Sequence, residues 1–208
     1  CALPTRWVTY DNEKKVITSA IDKQPITSSQ IEKKGLVDDE QGDKRIHGGP
    51  NRAILQYATE SYEILKESLL SFHESEGRER GCRDPDMSLL KAPGFGENIS
   101  SVGMDEESVC VGDVWRVGEV EVLVTQPRMA CWKLNHRFQY EVFAEFVERE
   151  GRIGWLYKVL KEGEIKVGDE FELVERPHPN LTIRNVLRIL TVEGVEEEFL
   201  REIENCEV

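Results

Sequence analysis

The segment around Cys131 carries the residues of this chain with the clearest chemical potential. Arg128, Lys133 and His136 lie close to that cysteine in the sequence. Nearby cations favour the thiolate, the form of cysteine that attacks electrophiles and binds soft metals. Arginine and lysine also hold phosphates and other oxyanions through charge-assisted hydrogen bonds. The segment therefore predicts a thiolate site for an anionic or metal-containing ligand, although a small buried cysteine within a rim of solvated charges fits the spacing slightly better.

An apolar strand directly precedes this segment and must position it. Val120, Val122 and Val124 alternate with other residues, which is the period of a strand with one buried face. Pro127 cannot donate to a sheet ladder, so the strand should end there. We therefore expect Cys131 just beyond a strand end, where a functional group can be presented to a ligand.

Two glycine-containing segments are further candidates. In the first, His47 is followed by Gly48 and Gly49. Paired glycines let a backbone approach a ligand closely, and a histidine can donate a proton near neutral pH. In the second, GFGEN at residues 94–98, Asn98 can both donate and accept hydrogen bonds. A tight turn with a surface histidine is the favoured alternative for the first segment, and a plain connecting loop is an equal alternative for the second.

The remaining pattern predicts a protein that is mainly β with helices. Short β-branched stretches over residues 6–26, with a turn at 11–13, predict a hairpin. Strands are also expected over 108–126 and 153–160, with a turn at 162–163. Val-Gly-Asp occurs twice, and each copy precedes an apolar stretch. Two such strand-entry turns favour a β-barrel over a doubly wound sheet.

Helices are expected where the apolar period lengthens. Residues 58–72 repeat apolar side chains at steps of three and four, with Thr59 as the N-cap. Residues 139–150 predict a second helix, ended by Gly151. The charged stretch 75–93 is expected to be a surface loop.

The tail after residue 177 differs in character. It predicts two short helices, the first capped by Thr182 and the second over 195–203. Two short helices bury too little apolar area to fold alone. We expect them to pack on the barrel, on a further helix or on a partner chain.

Composition limits the functions open to this chain. The formal net charge of -13 over 208 residues repels nucleic-acid backbones and anionic membranes, so extended nucleic-acid binding and membrane binding are not expected. No apolar run is long enough to span a bilayer. The five cysteines are scattered and form no CxxC pair, which argues against a disulfide scaffold and favours a reducing compartment, the cytoplasm.

Together, these segments resemble the MOSC family, which is named for the C-terminal domain of molybdenum cofactor sulfurases. Three motifs occur in the order and approximate spacing of that family: HGGPNRA at 47–53, GFGENI at 94–99 and QPRxxCxKL at 126–134. Gly35-Leu36, the acidic segment 39–41 and GWLY at 154–157 resemble its bacterial branch that detoxifies 6-N-hydroxylaminopurine. The chain departs from that branch at Asp38, where a glycine usually precedes the aspartate.

The resemblance implies a MOSC-type β-barrel domain over residues 1–176, followed by a helical segment at 177–208 that resembles the start of a three-helix domain. It also implies that the barrel holds the molybdenum cofactor, in which molybdopterin binds the metal. Cys131 would be the protein ligand, which agrees with the affinity of thiolates for such metals. Arg128 and Lys133 would hold the phosphate or the pterin. The other residues implied at the cofactor are Gly48, Gly49, Arg52 and Asn98, with His47 as a catalytic proton donor.

The implied activity is the two-electron reduction of N-hydroxylated compounds, such as hydroxylaminopurine and amidoximes, by a molybdenum-dependent oxidoreductase. The metal would carry the redox chemistry and the protein would supply orientation and charge. A separate or fused reductase would donate the electrons, and a homodimer is compatible with the sequence. One alternative is a non-catalytic carrier of molybdenum cofactor or sulfur, with Cys131 bearing the cargo. Another is a structural module that binds a reductase.

Overall fold

The computed structural model describes the backbone of residues 2–4, 8–12, 15–40 and 48–191, and the side chains within 19–40 and 48–190. His47 and the predicted second tail helix at 195–203 lie outside the described residues. Within the described part, strands dominate and helices are few, which confirms the predicted fold class. None of the described helices is long and apolar enough to cross a bilayer.

The strands divide among one large sheet and three small ones. In chain order they are β1 (Ala2–Pro4), β2 (Val8–Asn12), β3 (Lys15–Ser19), β4 (Lys23–Pro25), β5 (Ser28–Glu32), β6 (Gly35–Leu36), β7 (Ile54–Ala58), β8 (Ile99–Ser101), β9 (Val114–Val117), β10 (Val120–Pro127), β11 (Trp155–Lys161), β12 (Gly163–Lys166) and β13 (Phe171–Glu175). The large sheet has the order β13-β9-β10-β11-β7-β8, and only its β7–β8 pair is parallel. The small sheets are β12-β5-β6, β1-β4 and the hairpin β2-β3.

Strand β10 lies in the middle of the large sheet and buries the side predicted from its alternation. Val120, Val122 and Val124 are all buried, and they pack in the main apolar core. Register shifts interrupt the pairing of β10 with β11 at two points along its length. Such bulges bend a strand and increase its twist, so the large sheet curls into a half-barrel. The strand ends at Pro127, as predicted.

Three of the four described α-helices, the first three in chain order, cover a second core. The four are α1 (Glu60–Phe72), α2 (Lys133–Arg137), α3 (Phe143–Glu150) and α4 (Ile183–Thr191). The apolar faces of α1 and α3 bury a cluster rich in aromatic rings, in which Phe95 stacks on Tyr57 with centroids 4.2 Å apart. Phe95 therefore ties the GFGEN segment to this core.

Both predicted helices before residue 177 are confirmed, although α3 begins at Phe143 and not at residue 139, and the cap of α1 differs from the prediction. Helix α1 begins after Thr59, but the Thr59 hydroxyl donates to the Ser101 carbonyl at 2.6 Å and makes no capping bond. Helix α3 ends at Gly151, which has a φ of 65°. Glycine adopts that left-handed conformation at little cost, which explains the stop.

The predicted hairpin is confirmed with a different turn. Strand β2 pairs with β3, but Asp11 lies opposite Val16 and Asn12 opposite Lys15. The ladder therefore extends through residues that were expected in the turn. Polar residues at a strand end can pair as well as apolar ones because the ladder uses only backbone groups.

Other connecting segments differ from expectation. The stretch 75–93 is not a plain surface loop, because helical turns occupy His73–Gly77 and Met87–Leu89 and Leu90 is buried. Helix α2 was not predicted, since one and a half turns are too short to reveal a helical period. Gly163, expected in a turn, begins β12.

The first tail helix packs on the barrel. Thr182 accepts a hydrogen bond from the Asn185 backbone N–H at 3.1 Å, as a cap should, and Leu181 and Leu187 belong to the main core. The residues just before α4 also contact the backbone at 109–111, a segment that was expected to be a strand. Only an isolated bridge, between Cys110 and Thr182, forms there. Of the three packing modes considered, α4 uses the first.

Asp38 adopts a backbone conformation that favours glycine, the residue that the family resemblance leads us to expect there. Its φ is 68°, in the left-handed region, and its side chain is exposed. A residue with a Cβ pays roughly 1–2 kcal/mol there, and aspartate tolerates it better than most. We expect Asp38→Gly to raise the free energy of unfolding by up to about 1 kcal/mol, because the greater entropy of unfolded glycine offsets part of the relief. Asp38→Val should lower it by about 2 kcal/mol. Urea unfolding of both variants tests this, and equal stabilities would contradict it.

Candidate functional site

A cavity of about 250 Å³ opens where the end of β10 meets the segments before β5 and β8. The Cys131 side chain lines it and is half-buried, neither sealed in the core nor fully exposed. Charged side chains dominate the polar part of the wall: the cations are Lys23, Arg52, Arg128 and Lys133, and the carboxylates are Asp39 and Glu40. A chain with a net charge of -13 thus gathers an excess of positive charge at this cavity. Such a site favours an anionic ligand.

The short connection between β10 and α2 positions the thiol and two of the cations. The Arg128 backbone N–H donates to the Gly154 carbonyl at 3.0 Å, so this bond attaches the connection to the residue just before β11. Lys133 is the first residue of α2, whose N-terminus follows Cys131 closely. A strand end and a helix start therefore fix both sides of the cysteine.

Arg128 is the most unusual residue of the cavity. Burial lowers the pKa of its guanidinium, while the nearby Cys131 thiol opposes that shift. Its Nη1 is shielded from solvent and donates no hydrogen bond within the described structure. Its Nη2 makes one long bond, 3.4 Å, to the Phe95 carbonyl. A cationic donor that is shielded from solvent and unused is costly unless a ligand completes its hydrogen bonds.

Lys23 and Asp39 form a buried ion pair in the cavity wall that sequence analysis missed. Their side chains are 6% and 7% exposed, and Lys23 Nζ lies 2.6 Å from Asp39 Oδ1. Asn98 donates from Nδ2 to the other Asp39 oxygen at 2.8 Å and accepts from the Leu55 backbone N–H at 3.1 Å. Asn98 thus connects the pair to β7. Lys23 lies in a polar stretch whose residue spacing predicts no functional site. Of the pair, only Asp39 lay in a segment that the sequence analysis had named, the acidic segment after Asp38.

The HGGPNR segment contributes one cavity residue among those described. Arg52 lines the cavity, whereas Gly48 and Gly49 are absent from its wall. Gly49 has a φ of 109°, and a Cβ there would meet nothing within 4 Å, so its backbone conformation alone calls for glycine. The Thr125 hydroxyl donates to the Asn51 carbonyl at 2.7 Å, which holds this segment against β10.

Glu97 holds the GFGEN segment in place although it does not line the cavity itself. It is fully buried, accepting from the Tyr62 hydroxyl at 2.7 Å and from the Phe95 backbone N–H at 2.9 Å. Burial raises the pKa of this carboxyl, although these hydrogen bonds oppose the shift. The carboxyl thereby positions Phe95 and Asn98, two residues of the cavity wall.

The contribution of Glu97 to stability should depend on pH. The pKa of Glu97 in the folded protein lies above its value of about 4.3 in the unfolded chain. Its favourable contribution to the free energy of unfolding is therefore complete below the unfolded pKa and is lost as pH rises through the folded pKa. Glu97→Gln cannot ionise and has one acceptor oxygen fewer, so it loses one of the two hydrogen bonds from Tyr62 and Phe95, which costs about 1 kcal/mol. We expect the destabilisation by Glu97→Gln to be largest near pH 4 and to shrink at higher pH. Urea unfolding of both proteins across pH tests this, and a penalty that grows with pH would refute it.

Comparison with protein families identifies the family to which the chain with this cavity belongs. The model of the MOSC domain matches residues 43–172, which include the described cavity residues from Arg52 to Lys133. The chain belongs to the MOSC family. The three motifs that predicted this family in the sequence therefore identified it correctly, and two of them, GFGEN and QPRxxCxK, supply nearly half of the residues that line the MOSC cavity.

Relatives of this MOSC protein occur in bacteria and fungi. It is 38% identical to protein YiiM of Escherichia coli over 68% of this chain and 57% of that one. It is 35% identical to a protein named Reductase from Gibberella moniliformis over 89% of this chain, but spans only 31% of that protein. The chain thus covers little more than half of the first relative and under a third of the second. The crystal structure of E. coli YiiM superposes with a TM-score of 0.69 at 26% identity, covering 99% of this chain and 85% of that one.

Proposed function

We propose that this MOSC protein binds the molybdenum cofactor in the described cavity and reduces N-hydroxylated compounds there. The observation that carries the proposal is that the Cys131 thiol and the guanidinium of Arg128, whose Nη1 is shielded from solvent, line one positively charged cavity. Membership of the MOSC family and the similarity to a fungal protein named a reductase support it.

The residues present fit the cofactor by their chemistry. The unused Nη1 of Arg128 needs an acceptor, and a phosphate oxygen provides one with matching charge. Arg52 and Lys133 add positive charge on the same cavity. The Cys131 thiolate is the soft ligand that a sulfur-bound metal prefers. Arg128, Arg52 and Lys133 would therefore hold the phosphate or the pterin, and Cys131 would hold the metal.

The protein residues divide the remaining work between orientation and exclusion of water. When bound, the cofactor supplies the two electrons that break the N–O bond of the substrate. Ile21, Phe95 and Leu156 give the cavity apolar walls that suit a flat base and exclude water. Met129 is 48% exposed at the cavity mouth, where a substrate would enter. The cytoplasm, where thiols stay reduced, would preserve the Cys131 thiolate.

Metal analysis combined with an activity assay tests the proposal. The protein is purified from a host that makes the cofactor, its molybdenum is measured, and reduction of 6-N-hydroxylaminopurine is followed with reduced viologen as the electron donor. We expect stoichiometric molybdenum and turnover. Stoichiometric molybdenum without turnover of hydroxylaminopurine or an amidoxime would favour a carrier of the cofactor instead. A folded protein that never retains molybdenum would refute both functions.

A further inference from the structure

We propose that Lys23 donates a proton to the departing oxygen of the N-hydroxylated substrate, and that Asp39 is its positioning residue. This inference rests on the function proposed above and adds a role for two residues that lie outside the three motifs HGGPNRA, GFGENI and QPRxxCxKL. It differs from the proton donor implied by the family resemblance, His47.

The geometry favours Lys23 because its ammonium group is held in the wall of the cavity. The pair with Asp39, at 2.6 Å, leaves Lys23 little freedom, and both side chains are more than nine-tenths buried. Asp39 in turn is fixed by Asn98, whose amide is bound to the Leu55 backbone. A proton donor held in this way needs no reorganisation before it reacts.

The charges around Lys23 make its proton available. Burial lowers the pKa of the amine, and the carboxylates of Asp39 and Glu97 raise it by a smaller amount. The other charged or titratable groups that face the cavity are Glu40, Arg52, Arg128, Cys131 and Lys133. An amine that binds its proton less tightly than a free lysine is a better general acid near neutral pH.

The reaction needs such a proton for its balance. Reduction of R–NH–OH to R–NH₂ and water consumes two electrons and two protons, as the N–O bond breaks and one O–H and one N–H bond form. The electrons come from the external reductase, or from reduced viologen in the assay. In this proposal Lys23 supplies the proton of the new O–H bond. Solvent supplies the N–H proton and reprotonates the amine.

Variants at Lys23 separate proton donation from charge and from cofactor binding. Lys23→Met should lower kcat by about a hundredfold or more, the usual contribution of a general acid, with KM within a few-fold and molybdenum content unchanged. Lys23→Arg keeps the charge but does not release a proton, so its kcat should stay low. Because Lys23→Met leaves the Asp39 carboxylate buried without its cation, the double variant with Asp39→Asn keeps the wall neutral and folded. Lys66→Met, on the outer face of α1 beside Glu63, is the matched control and should be unchanged.

Two readouts report on the proton directly. In Lys23→Ala, added primary amines should restore turnover in proportion to their acid strength. Since Asp39 raises the proton affinity of Lys23, Asp39→Asn should move the loss of kcat at high pH to lower pH. A Lys23→Met variant with the kcat of the parent would overturn the inference, and so would one that loses its molybdenum, which would make Lys23 a cofactor ligand. If the parent itself retains molybdenum without turnover, the proposed function fails first and this inference fails with it.

Discussion

Cys131→Ser should fold normally, fail to retain molybdenum and lose at least about a hundredfold in turnover. Residues that only support a metal ligand cost ten- to a hundredfold when replaced, so loss of the ligand itself should cost no less. A serine hydroxyl is a hard oxygen donor that ionises poorly, and it replaces the soft thiolate without changing the shape of the cavity. Elemental analysis, thermal unfolding and the hydroxylaminopurine assay measure the three effects.

A second cysteine of this chain provides the control. Cys82 is also half-buried, but it lies beside Arg80 and Tyr140, outside the cavity. Cys82→Ser should therefore retain molybdenum and activity. A Cys131→Ser protein with full molybdenum and full turnover would remove the thiolate from the proposed mechanism, whatever the control shows.

Arg128→Met should have opposite effects on cofactor binding and on stability. Its Nη1 is a donor that is shielded from solvent and unused, so the ligand-free protein should gain about 1–3 kcal/mol when an apolar side chain of similar length replaces Arg128. The same change removes the charge that would pair with the cofactor phosphate, which costs about 2–5 kcal/mol of binding. Urea unfolding of the metal-free protein and the molybdenum retained after purification measure the two effects.

Arg152 is the matched control because it is also partly buried but pairs with several carboxylates. Its side chain is 12% exposed, and it lies within 3.6 Å of the carboxylates of Asp105, Glu106 and Glu107. Glu106 is fully buried, so Arg152→Met should destabilise the protein by about 3 kcal/mol. If Arg128→Met destabilises the metal-free protein as much as Arg152→Met does, the guanidinium serves the fold, and the argument for an awaiting anion is lost.

The sequence predicted best what is local and periodic. The alternation along β10, the apolar steps of α1 and the glycine stop of α3 each follow from the geometry of a single element. The cysteine and its cations were also found, because they lie on one short connection and reach one cavity together. Family motifs then added Arg52 and Asn98, two distant residues that no spacing links to Cys131.

Lys23 and Asp39 show where this kind of prediction ends. They become partners only because β4 and the residues after β6 approach the end of β10 in the folded chain. A polar residue that will be buried by tertiary contacts has no sequence period of its own. Helix α2 was not predicted for a related reason, because a helix of five residues depends on neighbouring segments for its stability.

The backbone contacts before α4 bear on how this module could be moved between proteins. The Val111 backbone N–H donates to the Leu181 carbonyl at 2.8 Å, and the Ile183 backbone N–H donates to the Val109 carbonyl at 2.9 Å. Leu181, Ile183 and Leu187 are buried in the main core together with residues of the large sheet. A gene fusion that cuts the chain at residue 176 would therefore expose part of the main core to solvent. A junction placed beyond Thr191 would keep the barrel together with the helix α4 that covers it.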